Sequence, residues 1–320
     1  MSCTQKRSHI LSEHTNEGKA GNLMQENGLF DRKLIQWHRR RAMAKFAPGT
    51  DFLLARAVDD LEDRLATVER RFPLAVDLGG HTGLGAQAIA RSGKADDIIR
   101  VEQDAAFLGS PFPAIVADDE ALPLAVASAD LIVSLLSLQL TNDTPGALFQ
   151  IRHALKPDGL FLGAMAGGGT LGELRESLLA AEVELAGGAS PRVAPFADVR
   201  DGGALLQRAG FALPVTDVES FTVRYDNMFA LIADLRAMGM QNSLIGRSRK
   251  PVSRRFFLRA AEIYAERFSD PDGRIRATFS IIWMSGWAPH ASQQKPLKPG
   301  SAKASLAAAL EKAEKTNQNS

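Results

Sequence analysis

A single cysteine, Cys3, in 320 residues leaves nothing for a disulfide framework and no set of thiolates for a zinc site. Neither sign of charge is in excess: 38 Lys and Arg stand against 37 Asp and Glu, a net charge of +1. Bulk electrostatics therefore give no reason to expect nucleic acid or an anionic membrane as a partner. No apolar run approaches the roughly 20 residues that a membrane-spanning helix needs, so no integral membrane segment is expected. The start of the chain lacks the hydrophobic stretch of a secretory signal. Glu13, Glu17 and Glu26 are out of keeping with an acid-poor transit peptide, and a cytoplasmic protein is expected. Histidine is scarce too: His9, His14, His38, His81, His153 and His290 are the whole set, and none stands in an H-x-D or H-x-E pair. The two-histidine, one-carboxylate iron site of many oxygenases is not legible, and no metal ligands are assigned.

What is present is ordinary globular material, 45% hydrophobic and 23% charged. Residues 1–28 are polar and aperiodic and read as a disordered arm. Residues 289–320, rich in Lys, Ala, Ser, Gln and Pro, read as a disordered tail with a short helix at 305–315. Between them, 29–288 alternates helical and strand patterns. Helices are expected at 31–45 and at 51–70, the latter with Leu54, Val58, Leu61, Leu65 and Val68 on one face. Short apolar strands are expected at 74–78, 98–101, 114–117, 131–135 and 160–164, with a helix at 83–91 after the first. A helix at 147–155 is stopped by the turn Lys156-Pro157-Asp158-Gly159. Helices at 171–184, 202–209, 228–238 and 254–268 and strands at 215–225 and 275–287 complete the pattern. The order predicts an α/β, Rossmann-like domain. Its mostly parallel seven-stranded sheet is flanked by helices, with a helical N-terminal element, a helical insertion and a closing antiparallel strand pair.

The first strand runs into Asp77-Leu78-Gly79-Gly80-His81-Thr82-Gly83, and a helix follows. Glycines let a backbone turn tightly and approach a ligand, and the helix N-terminus suits a carboxylate. The second strand ends in Glu102, placed to accept ribose hydroxyls. The third ends in Asp118-Asp119-Glu120, placed to accept an exocyclic amine, and the fourth carries Ser134. Each signal alone has a plainer reading: a strand-to-helix turn, a solvated strand-end charge, a helix cap. Together they point to S-adenosylmethionine (SAM). A nicotinamide dinucleotide is disfavoured, because Gly79-Gly80-His81-Thr82-Gly83-Leu84 is not G-x-G-x-x-G. Beyond the fourth strand, Asn142-Asp143-Thr144-Pro145 reads as a helix N-terminus and not as a catalytic base.

Three stretches, 118–124, 129–134 and 154–159, resemble class I methyltransferases, in particular the branch with the malonyl-carrier methyltransferase of biotin synthesis. Four others are similar to the mitochondrial complex I assembly factor 5 family: 167–175, 187–196, 228–239 and 277–287. The start Leu29-Phe30-Asp31-Arg32 fits the same family, and the likeness covers about residues 29–302. That resemblance implies a methyltransferase fold used in assembling NADH:ubiquinone oxidoreductase, with an arginine of the quinone-pocket subunit as the modified residue. It also implies a peripheral subunit of that complex as partner, and with no transit signal expected the chain reads as a bacterial homologue acting in the cytoplasm.

Three positions depart from the family pattern. His81 replaces a glycine, and its imidazole either contacts the methionine part of the cofactor or sits as a solvated loop side chain over an emptied pocket. Gln139-Leu140 replaces His-Trp, and Gly169 replaces an acidic residue. They keep two rival functions open, a small-molecule or carrier-acyl methyltransferase and a non-catalytic binding module. The basic runs His38-Arg39-Arg40-Arg41, Arg247-Ser248-Arg249-Lys250 and Arg254-Arg255 read as solvated faces or as a dock for an acidic partner surface.

Overall fold

The computed structural model describes residues 28–109 and 111–294. The expected arm 1–28 lies outside them apart from Gly28, as do the tail beyond 294 and the helix expected at 305–315. Residues 289–294 form a small turn of their own, in which the His290 N–H donates to Gln293 Oε1 at 3.1 Å.

Residues 28–288 hold one seven-stranded sheet in the order β3-β2-β1-β4-β5-β7-β6. The strands are β1 (Phe72–Leu78), β2 (Ala95–Glu102), β3 (Ala114–Val116), β4 (Ala129–Leu135), β5 (Leu155–Ala166), β6 (Ala212–Tyr225) and β7 (Ile275–Trp287). β1 to β5 pair in parallel; β7 runs antiparallel between β5 and β6. The helices are α1 (Arg32–Met43), α2 (Phe52–Thr67), α3 (Leu84–Arg91), α4 (Thr144–Ala154), α5 (Gly172–Ala186), α6 (Val199–Ala209), α7 (Met228–Ala237) and α8 (Arg254–Phe268).

The period-two alternation of β4 divides the core. Leu131, Val133 and Leu135 join one apolar cluster with α2, α3, α5, α7 and α8, while Ala129 and Ile132 join the other with α4 and α6. β4 is buried along its whole length, which is why it reads as an unbroken apolar run. On α2 the buried stripe is Leu54, Val58, Leu61 and Leu65 as expected, whereas Val68 is the half-buried C-cap. Caps fix the helix starts: Asp143 accepts from the Gly146 N–H at α4, Asn227 from Phe229 and Ala230 at α7, and Ser253 from Phe256 at α8.

One boundary is corrected. Lys156-Pro157-Asp158-Gly159 is not a free turn; it lies within β5. Leu155 pairs with Ala129 and Leu160 with Leu131, so the intervening residues bulge out opposite Asp130 alone. Asp158 takes the left-handed backbone that the bulge requires (φ 65°), and Lys156 Nζ donates to Asp130 Oδ2 at 2.8 Å.

Candidate functional site

Strand order turns back between β1 and β4, and in open α/β sheets ligands sit at that switch point, outside the carboxyl ends of the strands. β1 brings Asp77 there. Arg100 of β2 pairs in register with Asp77, and Glu102 lies two residues on, so Arg100 and Glu102 share a face. The Arg100 guanidinium is fully buried. Its Nη2 donates to Glu102 Oε1 at 2.7 Å and to the His81 carbonyl at 3.0 Å; its Nη1 donates to the Phe107 carbonyl at 2.9 Å. Arg100 Nε lies 3.4 Å from Asp77 Oδ2, which also accepts the Ala86 N–H at 3.2 Å. A buried cation under the glycine loop thus ties the loop, β1 and β2 together. Sequence reasoning passed over Arg100, because a lone arginine on a strand reads as an outward-facing side chain.

The loop conformation explains its glycines. Gly79 (φ 67°) and Gly83 (φ 83°) take left-handed backbone, and a Cβ on Gly83 would sit 3.2 Å from the Arg100 guanidinium. His81 takes the same region (φ 54°), where a side chain is strained. Its ring packs on Phe107, with centroids 5.0 Å apart, and its Nε2 is buried without a partner. The imidazole is therefore not the solvated group that one reading expected. Burial, with Arg39 and Arg100 nearby, pushes its pKa down to about 3. Burial, reinforced by the Asp77 charge, pushes Glu102 up to about 8 against the pull of Arg100 and Arg39. Burial likewise raises Asp77 and Asp119 above the usual carboxylate range despite their arginines.

The structure brings Asp77, Gly79, Gly80, His81, Gly83 and Glu102 into one cluster. Asp119 lies beyond β3, its Oδ2 accepting from Ser137 Oγ at 3.3 Å. Asp118 stays largely exposed, so Asp119 is the inner carboxylate of the pair. Ser134 is fully buried in β4 with its hydroxyl unpartnered. These acceptors have the chemistry that an adenosine carrying a sulfonium requires: carboxylates for two ribose hydroxyls and an amine, and a glycine loop at a helix start for an amino-acid carboxylate.

The basic run on α1 is only partly a solvated face: Arg41 is exposed, whereas Arg40 pairs with an acid of this chain and Arg39 is buried, and Arg32 at the start of the same helix meets the acids beyond β3. Arg32 donates to Asp118 Oδ1 at 2.6 Å and also pairs with Asp119 and, at 3.1 Å, with Glu120. Burial opposes the Arg32 charge, but those carboxylates outweigh it and raise its pKa. Arg40 pairs with Asp104 at 2.6 Å, and the buried Arg39 donates to the Leu136 carbonyl at 3.3 Å. Of the other basic runs, Arg247 pairs with Asp31 at 3.2 Å, while Arg249, Lys250, Arg254 and Arg255 are exposed.

Beyond the ends of β4 and β5 is a cavity of about 130 Å³, lined by Ile35, Leu53, Leu136, Gln139, Met240 and Phe279 among others, and no carboxylate lines it. Gln139 Nε2 donates to the Leu136 carbonyl at 2.8 Å and its Oε1 is buried without a partner. Among the described residues no group of three or more His, Cys, Asp or Glu is placed to hold a metal ion, and no helix is long and apolar enough to cross a membrane.

Residues 76–163 match a family described as a methyltransferase domain. The human protein "Arginine-hydroxylase NDUFAF5, mitochondrial" is 40% identical over 284 residues, 87% of this chain and 82% of that one. A malonyl-[acyl-carrier protein] O-methyltransferase of Xylella fastidiosa (strain M23) is 32% identical over 276 residues, 82% of this chain and 90% of that one. The crystal structure of the YcgJ protein from Bacillus subtilis superposes with a TM-score of 0.51 at 15% identity, over 72% of this chain and 98% of that one, a likeness of fold alone.

Proposed function

The chain belongs to the class I methyltransferase-fold family that contains the mitochondrial arginine hydroxylase and the malonyl-carrier O-methyltransferases, and on that premise we propose that it binds SAM and acts on a protein substrate. The observation that carries the reading is the ordered set of acceptors at the strand ends: Asp77 on β1, Glu102 on β2 and Asp119 beyond β3. Asp77 holds the start of α3 through the Ala86 N–H, and of the loop amides Gly79 and Gly83 donate to backbone carbonyls, so that Gly80 and Thr82 would offer theirs to the methionine carboxylate. Glu102 would accept the ribose hydroxyls, and Asp119, with Asp118 outside it, the adenine amine; Ser134 closes the β4 side. SAM supplies a positively charged, methyl-bearing sulfonium when bound. The proposed substrate is an arginine in the quinone-pocket subunit of NADH:ubiquinone oxidoreductase, and the proposed partner is a peripheral subunit of that complex. The likeness to the human relative supports this, although that relative's own name places it in the mitochondrion and we propose a cytoplasmic setting here. Calorimetry should show micromolar SAM binding that Asp77→Ala or Glu102→Ala abolishes. A deletion strain should lose assembled complex and the arginine modification; normal assembly with the arginine unmodified in both strains would sink the substrate assignment.

A second reading, methyl transfer to a small molecule or a carrier-linked acyl group, is favoured by the cavity, which Arg192 lines and no carboxylate does, so that an acidic acceptor suits it better than a guanidinium. Transfer of tritiated methyl to carrier-linked acyl substrates checks it, and no transfer to any of them counts against it.

A further inference from the structure

Arg32, Arg39 and Arg40 sit at i, i+7 and i+8 on α1 and so project from one side of the helix. Their anchors are the ends of three different strands. Arg32 is on Asp118, Asp119 and Glu120 beyond β3, Arg40 on Asp104 beyond β2, and Arg39 on the Leu136 carbonyl beyond β4. The charges of Glu102 and Asp119 act on Arg39 against the burial that lowers its pKa. The helix therefore lies across the crevice at the switch point. Beneath it Asp77 is 0% exposed and Glu102 and Asp119 are each 2% exposed. Glu102 and Asp119 thus present almost no surface to a ribose or an adenine amine with the arginines in these positions.

We propose that α1 is an intramolecular latch, its guanidinium groups standing in for the hydrogen-bond donors of the cofactor, so that SAM binds by displacing the helix. The proposal rests on the SAM reading above. Its attachment suits an exchangeable cover. Apart from His38 and Arg39, α1 buries only Ile35 and Ala42, and the Arg40 side chain is 64% exposed in its pair. Guanidinium donors on a carboxylate can be exchanged for hydroxyl and amine donors with no acceptor left bare. The loop from Ala44 to Gly49 that joins α1 to α2 is exposed, and Gly49 there has left-handed backbone (φ 87°) with nothing near it. The connection is free to absorb a change of helix position. The apparent affinity for SAM is then the intrinsic affinity reduced by the fraction of molecules with the latch open.

The test uses the full chain, hydrogen–deuterium exchange of the α1 amides and calorimetric SAM binding. In the unaltered protein, saturating SAM should speed exchange across residues 32–43, the reverse of ordinary ligand protection. The Arg32→Gln/Arg40→Gln double variant should exchange faster without ligand and bind SAM about tenfold more tightly, the gain expected when about 1.4 kcal/mol of latch is removed. Arg40→Gln alone, altering a mostly exposed side chain, should show a smaller gain if the double variant folds poorly. Arg91→Gln, which breaks the distant exposed pair with Glu62, should change neither measurement. SAM that slows exchange in 32–43, or that binds the latch variants no more tightly than the unaltered chain, overturns the latch while leaving the SAM reading intact. An α1 opened by the variants with SAM bound by none of the proteins overturns the SAM reading, and the latch with it.

Discussion

Around Asp77, at the β3-β2-β1 end of the sheet, the buried side chains are ionic: Arg100 under the loop, Glu102 beside it, Asp119 and Arg39 above. Around Trp283, at the β5-β7-β6 end, they are apolar: Phe279 and Ile281 on one face of β7, Ile282 and Met284 on the other. Both ends belong to one sheet and exclude water about equally well. The apolar end needs volume and shape above all, with the Arg64 guanidinium, itself paired with Asp217, lying 4.4 Å over the Trp283 ring. The ionic end needs every charge matched, so its stability depends on pH and on a helix that brings the last arginines. The difference separates what maintains the fold from what is arranged for a ligand.

The sharpest way to break that contrast is to remove one side chain from each end. Arg100→Met removes the cation beside Asp77 and Glu102 and should cost about 3–5 kcal/mol in urea unfolding at pH 9, above the value of about 8 for Glu102, where that carboxylate is charged. The cost should shrink at pH 6.5, where Glu102, raised by burial to about 8, holds its proton. Trp283→Ala should cost a similar amount, about 3–5 kcal/mol, but by the same margin at both pH values. A pH-independent Arg100 loss would erase the distinction.

A smaller effect sharpens it further. Glu102, raised from 4.5 to about 8, binds a proton more readily folded than unfolded, so its contribution to stability is full below pH 4.5 and is lost as pH rises towards 8. His81, lowered from 6.5 to about 3, does the reverse: its contribution is full above pH 6.5 and is lost as pH falls towards 3. Between pH 4.5 and 6.5 the two slopes oppose each other and the curve should be nearly flat. From pH 6.5 to 8 Glu102 acts alone, and stability should fall by about 1.4 kcal/mol per pH unit. Denaturant midpoints across this range check the shape: Glu102→Gln should remove the alkaline fall, and His81→Asn the His81 share of the acid one. A Glu102→Gln variant with the alkaline fall intact would contradict the assignment.

The smallest effect should not distinguish the halves at all. Asp143→Ala at the start of α4 and Ser253→Ala at the start of α8 each delete a cap and should each cost about 1 kcal/mol, readable as matched shifts in thermal midpoint. A much larger loss at Asp143 would mean that the β4 end depends on its loop in a way the caps do not explain.

Much of this was legible in the chain. Strand alternation, the glycine loop and the carboxylates Glu102 and Asp119 are local signals, and each sits at the strand end where its spacing placed it. The bulge in β5 was not, because Lys156-Pro157-Asp158-Gly159 has turn chemistry and only its pairing to β4 makes it strand. Arg100 was invisible for a related reason: what buries it is Asp77 on the neighbouring strand, Glu102 two residues on and two carbonyls, a set assembled only by the sheet. The run His38-Arg39-Arg40-Arg41 was read as a solvated face or a dock for an acidic partner surface. Arg40 instead meets Asp104 of the same chain, and Arg32, outside that run, meets Asp118, Asp119 and Glu120, long-range pairings that no local pattern reports.

The place of β7 has a consequence for how the molecule is made. Of the seven strands among the described residues, the one that pairs with both β5 and β6 is the last to leave the ribosome, and β6 has no other of them beside it. Until Ile275–Trp287 emerges, β6 is a nascent strand with neither edge satisfied, and β5 ends the sheet with its backbone groups open. Vectorial synthesis can therefore assemble the five parallel strands early, yet it leaves the sheet incomplete until one late segment inserts between two earlier ones. A ribosome stalled before residue 275 would hold an intact glycine loop and an aggregation-prone edge at the same time.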